Sequence, residues 1–344
     1  MTAKTTSYVG RLAPSPTGAL HLGNARTFLV AWLRARSQGG KVVFRMEDLD
    51  HPKDKPGAAQ GAIDDLKWLG FDWDEEYVQS QRKPIYRSAL NYLCSQSANL
   101  STFPPSHLST FPLAYPCVCS RRDVEAAQSA PHAGEQLHYP GTCRGRFATW
   151  AEAFAFKGAA PCWRFAVPEG TRVRFHDAFA GDCEQDVAAT LGDFPLARDE
   201  GGAGYTLACT VDDLLMDVTE VVRGDDLLAA TPAQILVARA LAPWAERFAR
   251  GRSDARVRPP DYLHLPLVVG PDGRRLAKRH GDTRVATFRE RGWTPERLVG
   301  LLAASCGWAA PGESVSLRDL LPRFDLATIP RAPWIVDASS PFMV

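Results

Sequence analysis

Gly10-Arg11-Leu12-Ala13-Pro14-Ser15-Pro16-Thr17-Gly18-Ala19-Leu20-His21-Leu22-Gly23-Asn24 is the stretch on which the fold turns. Tyr8 to Ala13 reads as a strand, and Pro14 to Gly23 as a Pro/Gly-rich loop carrying a histidine. Asn24 is a good N-cap for a helix with Phe28, Leu29, Trp32 and Leu33 on one face, stopped at Gly39-Gly40. Lys41 to Met46 is the next strand. A βαβ unit of this kind implies parallel strands with a ligand at their carboxyl ends, so the expected class is α/β, Rossmann-type. The backbone N–H groups and positive end of the helix form an anion site, to which His21 adds a donor. Gly18 and Gly23 let a nucleotide approach the backbone closely.

A second motif complements the first. After the hydrophobic run Leu263 to Val269 and a Gly-Pro-Asp-Gly turn comes Arg275-Leu276-Ala277-Lys278-Arg279-His280-Gly281. When a carboxylate attacks the α-phosphate of ATP, charge builds on the leaving pyrophosphate. A flexible cation closing over it, here Lys278, stabilises the transition state more than the ground state. Either motif alone is an ordinary turn or an ordinary basic loop. Together they are what adenylation needs.

The whole chain sets bounds on this reading. Its 344 residues suffice for a large core and two or three domains, and 45% hydrophobic with 23% charged residues is the composition of a soluble globular protein. No apolar run of transmembrane length and no signal-peptide stretch is visible, so a cytoplasmic protein without a membrane partner is expected. Eight cysteines are too sparse for a disulfide scaffold, which leaves metal binding or simple burial. Net charge is +1, but Arg239, Arg247, Arg250, Arg252, Arg256 and Arg258 cluster, and Arg274, Arg275, Lys278, Arg279 and Arg284 follow. A local basic face of this kind can track phosphates.

Along the chain, residues 1–94 are expected to form the first half of the Rossmann domain, with a second amphipathic helix (Ile63, Leu66, Leu69) ending at Gly70. Residues 95–116 form a surface insertion that contains Leu-Ser-Thr-Phe-Pro twice. A metal-binding segment at 117–146 and an α+β insertion at 147–194 follow, with strands at Trp163 to Val167 and Thr171 to Phe175. The second Rossmann half is expected at 195–258, with strands at Tyr205 to Val211 and Val218 to Val222 and a helix at Pro232 to Leu241. Residues 259–344 carry the Lys278 loop and then helices at Val285 to Arg291 and Pro295 to Ser305.

The two motifs resemble the HIGH and KMSKS loops of class I aminoacyl-tRNA synthetases. The opening Gly10 to Gly18 is similar to that of glutamyl- and glutaminyl-tRNA synthetases. So are Phe44-Arg45-Met46-Glu47-Asp48-Leu49-Asp50, Tyr205-Thr206-Leu207-Ala208, Val211-Asp212-Asp213 and the stretch Thr219 to Leu227. By that resemblance His21, Gly23, Asn24 and Lys278 bind ATP, taken with Mg²⁺, and His21 and Lys278 are catalytic. Arg11, Ser15, Glu47, Tyr205 and Arg223 then line a pocket for L-glutamate. Two carboxylates and an ammonium call for guanidinium forks and a carboxylate counter-charge, although the sequence does not say which arginine meets the side chain. The usual KLSK or KMSK is Arg275-Leu276-Ala277-Lys278 here, without the serine hydroxyl.

Cys117-Val118-Cys119 and Cys143 supply three thiolates for a tetrahedral zinc, and spacing leaves the fourth ligand open between His132, His138 and Tyr139. The Cys-x-Cys…Tyr-x-x-x-Cys pattern is similar to that of glutamyl-queuosine tRNA(Asp) synthetases, which implies Tyr139 and one structural zinc per chain. About 60 residues follow Lys278, too few for the anticodon-binding region of a complete glutamyl-tRNA synthetase. The resemblance therefore implies a stand-alone, monomeric enzyme with a helical stem-contact region at its end, which transfers glutamate to the queuosine of tRNA(Asp). A truncated glutamyl-tRNA synthetase charging tRNA(Glu) and a non-catalytic tRNA-binding paralogue are the alternatives.

Overall fold

A computed structural model describes residues 7–49, 55–96, 112–127, 138–198, 202–249, 257–276 and 282–337. It opens with β1 (Val9–Leu12), α1 (Leu22–Arg36), β2 (Lys41–Met46), α2 (Ala58–Trp68) and β3 (Glu75–Val78), with β1 and β3 pairing in parallel on either side of β2. The strand side chains alternate between two faces. Leu12, Val42, Phe44 and Met46 join a core with Leu22, Leu29 and Leu33 of α1. Val9 and Val43 face a second core built on α3 (Lys83–Ser95). Helices on both faces of a parallel sheet are the α/β arrangement expected, and each fully buried leucine in such a core contributes about 1.5–3 kcal/mol.

An insertion follows. Its antiparallel strands β4 (Ala114–Cys117), β5 (Cys162–Phe165) and β8 (Phe194–Ala197) enclose a small core of Tyr115, Cys117, Tyr139, Cys143 and Phe147. Helices α4 (Arg121–Ala127) and α5 (Trp150–Lys157) lie in the same insertion. Between β5 and β8 come the hairpin β6 (Arg172–Asp177) and β7 (Gly181–Asp186), then α6 (Val187–Thr190).

The main sheet resumes with α7 (Tyr205–Leu215), β9 (Glu220–Gly224), α8 (Thr231–Ala249) and β10 (Asp261–Leu265). β10 lies between β9 and β6, parallel to both, and Thr219 N–H donates to Val9 O at 2.9 Å, which ties this half to β1. The chain closes with β11 (Val268–Val269), α9 (Val285–Glu290), α10 (Pro295–Ala304), α11 (Leu317–Leu320) and β12 (Trp334–Ile335). β12 returns to pair in parallel with β11, Val268 beside Trp334 and Val269 beside Ile335.

Four expectations are corrected. Helix α1 starts at Leu22 and is capped by His21, not Asn24, because the His21 Nδ1 accepts the Gly23 N–H at 3.2 Å. The stretch from Tyr205 is a helix, not a strand. It is buried on nearly every side (Leu207 to Leu214), and a short all-buried run has no periodicity to separate the two. Helix α8 runs on through Pro243 to Ala249, because burial of Trp244 and Ala245 offsets the lost hydrogen bond. The segment Asp225–Ala249 is also long and apolar enough to cross a membrane, with a mean hydropathy of 1.2, but 61% of that window is buried inside the protein. It is a core helix, packed on α7 and α3.

Candidate active site and metal centre

The carboxyl ends of β1, β2 and β9 and the N-termini of α1 and α7 converge on a cavity of about 200 Å³. Arg11, Ser15, His21, Gly23, Asn24, Glu47, Tyr205 and Arg223 all line it, so eight residues picked from the sequence meet at one place. The ninth, Lys278, lies outside the described residues, as do Arg250, Arg252, Arg256 and Arg279. Asp226, Leu227 and Arg275 complete the wall, with the Arg275 Nη1 donating to the Asp226 carboxylate at 2.8 Å. On the other side of His21 a larger cavity of about 790 Å³ opens between Gly18, Lys55, Arg284 and Arg289.

His21 is tuned for donation. Burial first, and then the charge of Arg275, hold its pKa down to about 4, so the ring is neutral at physiological pH. With Nδ1 accepting from Gly23, the proton sits on Nε2, free for a phosphate oxygen. A Cβ at Gly23 would stand 3.2 Å from the imidazole, which explains the glycine there. At Gly18 it would meet nothing, so that backbone is open to approach.

Glu47 has one oxygen in use and one to spare. Arg45 donates to its Oε1 from Nε (3.3 Å) and Nη2 (3.0 Å), and the Cys209 thiol adds a third bond at 3.2 Å. Among the described residues none bonds Oε2. Arg45 in turn is wholly buried and donates to Asp213 at 2.7 Å, and Asp213 also faces Arg11 at 3.6 Å. It is the Nε of Arg11 that makes this contact, and it is buried with no hydrogen bond among the described residues. Arg45, Asp213 and Asp226 have no signal of their own in the sequence, being ordinary members of longer motifs, and Cys209 falls between two of them. The basic clusters are less free than their spacing implies: Arg258, Arg275 and Arg284 pair with Asp261, Asp226 and Asp282, and Arg247 lies over the Tyr92 ring.

In the insertion, the sulfurs of Cys117, Cys119 and Cys143 lie within 4.8 Å of one another, with Cys119 and Cys143 3.5 Å apart. The Tyr139 hydroxyl is 3.2 Å from the Cys117 sulfur and 3.6 Å from that of Cys119. A tetrahedral zinc with Zn–S of about 2.3 Å puts its sulfurs about 3.8 Å apart and an oxygen ligand about 3.5 Å from each. The four groups fit a metal of that kind. His138 instead turns its Nε2 to the Ala188 carbonyl, at 3.0 Å, and His132 lies outside the described residues. Arg164 donates to the Cys117 sulfur at 3.2 Å and stacks 3.8 Å over the Tyr139 ring, offsetting the negative charge of such a ligand set.

A neutral histidine at a helix N-terminus, beside a pocket with arginines and a carboxylate at the carboxyl ends of parallel strands, is an arrangement suited to an anionic ligand on a Rossmann-type sheet. The family model of class I tRNA synthetases (E and Q), catalytic domain, matches residues 8–338, and the chain belongs to that family. A glutamyl-Q tRNA(Asp) synthetase of Symbiobacterium thermophilum is 44% identical over 96% of both chains. A glutamate–tRNA ligase of a Hydrogenobaculum species is 35% identical over 94% of this chain, which spans 64% of that protein. Among solved structures, a glutamate tRNA ligase from Elizabethkingia meningosepticum in complex with its amino acid superposes with a TM-score of 0.74 at 25% identity, covering 97% of this chain and 68% of the other.

Proposed function

We propose that this enzyme activates L-glutamate with ATP and Mg²⁺ and transfers it to the queuosine base of tRNA(Asp). The observation that carries the reading is the end-to-end match to relatives named glutamyl-Q tRNA(Asp) synthetase, joined to a pocket whose charges suit glutamate. A glutamate carboxylate oxygen attacks the α-phosphorus of ATP and the bond to pyrophosphate breaks, leaving glutamyl-adenylate. His21 donates to the phosphate, and Lys278 covers the departing pyrophosphate. Glu47 Oε2 and the Tyr205 hydroxyl take the ammonium, with Arg11 and Arg223 facing the carboxylates. A queuosine hydroxyl then attacks the acyl carbon, and AMP leaves.

The support for a structural zinc is the fit of Cys117, Cys119, Tyr139 and Cys143 to a tetrahedral ion, which would brace the insertion as a folding element. Helices α9 to α11 are the region assigned to the tRNA stem, and the arginines of 239–258 and 274–284 are candidates for the phosphates of the anticodon loop. ATP and a mature tRNA are cytoplasmic substrates, which supports a cytoplasmic enzyme. The test is transfer of labelled glutamate to tRNA(Asp) with and without queuosine, followed by digestion to locate the label. Label is expected only in the anticodon stem-loop of queuosine-bearing tRNA(Asp). Label on the 3′ end of tRNA(Glu) establishes the truncated glutamyl-tRNA synthetase instead, and no label on either leaves the RNA-binding paralogue.

A further inference from the structure

Arg223 carries five N–H donors, and the protein itself uses all five. Nε donates to His264 Nε2 (2.9 Å), Nη1 to the Tyr205 hydroxyl (3.2 Å) and Gln234 Oε1 (2.7 Å), and Nη2 to Leu227 O (3.3 Å) and the Thr231 hydroxyl (2.7 Å). A guanidinium so engaged acts on a substrate as a fixed charge, and it holds Tyr205 in place. What fixes it lies behind the cavity. Parallel register sets His264 of β10 directly beside Arg223 of β9. His264 is 1% exposed, and its Nδ1 is 2.6 Å from Asp177 Oδ2.

Asp177, with no exposure at all, also accepts the backbone N–H groups of His264, Phe179 and Ala180. These donors favour the ionised carboxylate. An anion at that position puts the imidazole proton on Nδ1 and leaves the Nε2 lone pair for Arg223. The opposite tautomer would set Nε2–H against the Arg223 Nε–H, with only the Thr231 hydroxyl, 3.2 Å away, to receive it, and would leave Nδ1 without a proton toward the Asp177 carboxylate. Neither Asp177 nor His264 is among the residues lining the cavity, so their reach into it runs through Arg223.

We infer that Asp177 and His264 are positioning residues for the amino-acid pocket: their tautomer-fixing hydrogen bond aims Arg223, and through it Tyr205. The inference rests on the glutamate reading above. Because the contacts aimed are made alike in ground and transition states, their loss raises KM for glutamate and leaves kcat in place.

Asp177→Asn is the direct perturbation, measured by glutamate-dependent exchange between ATP and pyrophosphate without RNA. KM for glutamate is expected to rise about tenfold or more, with kcat and KM for ATP within about threefold of wild type. His264→Gln, which retains an acceptor for Arg223, should lie closer to wild type than His264→Leu. In the wild-type full chain, nitrogen-15 NMR of the histidines should show His264 protonated on Nδ1. A proton on Nε2, a glutamate KM unchanged in a folded Asp177→Asn, or equal losses for glutamate and ATP overturns the inference. Should Asp177→Asn not fold, the wild-type tautomer and the Gln/Leu pair decide it. A wild-type chain inactive with glutamate overturns the functional reading, and the tautomer alone then decides the positioning.

Discussion

Glu47→Gln offers the sharpest test of the pocket, because it keeps shape and removes one charge. In the wild type, Oε1 is occupied by Arg45 and Cys209 while Oε2 has no partner among the described residues. The glutamine carbonyl will take the Arg45 side, since the alternative sets an amide N–H against a guanidinium. Its NH₂ then faces the substrate ammonium, donor against donor. The loss is that of one charge-assisted hydrogen bond in a shielded site, about 1.5–3 kcal/mol. That corresponds to a fall of about 10- to 150-fold in kcat/KM for glutamate. KM for ATP should hold, because His21 and the helix N-terminus are untouched. Exchange of labelled pyrophosphate into ATP over a glutamate series, beside a thermal melt, reads both. A kcat/KM within about threefold of wild type in a folded protein would refute the assignment of Glu47 to the ammonium.

Two further outcomes are expected. Lys278→Ala should slow adenylate formation about 100-fold, the effect of losing a charged transition-state contact of about 3 kcal/mol, with an unchanged melt; an exchange rate within about threefold of wild type removes Lys278 from that role. Wild-type protein from metal-replete medium should hold one zinc by elemental analysis, and Cys119→Ser should weaken that binding about 100-fold or more and loosen residues 114–197 in hydrogen exchange before the parallel sheet. Zinc-free wild-type protein, or an equally metallated Cys119→Ser, contradicts the ligand set.

The first βαβ unit was legible because its period changes from strand to helix to strand between strong Gly and Pro signals. Six buried side chains that shape the site were not. Asp177, His264, Asp213 and Cys209 act through contacts between residues far apart in sequence, while Arg45 and Gln234 also reach nearer residues, Glu47 and Arg223, that only the fold orients toward them. His264 did leave a trace, as the one titratable group in the apolar run Leu263 to Val269. The α7 error has the same root. A segment that tertiary packing buries all round loses the polar face by which a helix is read, so its sequence has the look of a strand where the fold builds the helix bearing Tyr205 and Cys209. The cap shifted from Asn24 to His21 because an imidazole nitrogen can serve the N-cap as well as an amide oxygen does. The price of that cap is a fixed tautomer, and the site uses it.

The pairing of β12 with β11 has a consequence for how the protein is made. Val268–Val269 is the strand from which the segment toward Lys278 departs, and its parallel partner, Trp334–Ile335, is 66 positions further along. Thr219 N–H on Val9 O, and Leu22 N–H on Thr283 O, likewise join early chain to late. A ribosome releasing this protein exposes the first βαβ unit long before these partners exist. The strand leading toward Lys278 gains its parallel neighbour only when residues 334–336 emerge, so β11 waits for its partner long after the first βαβ unit can close.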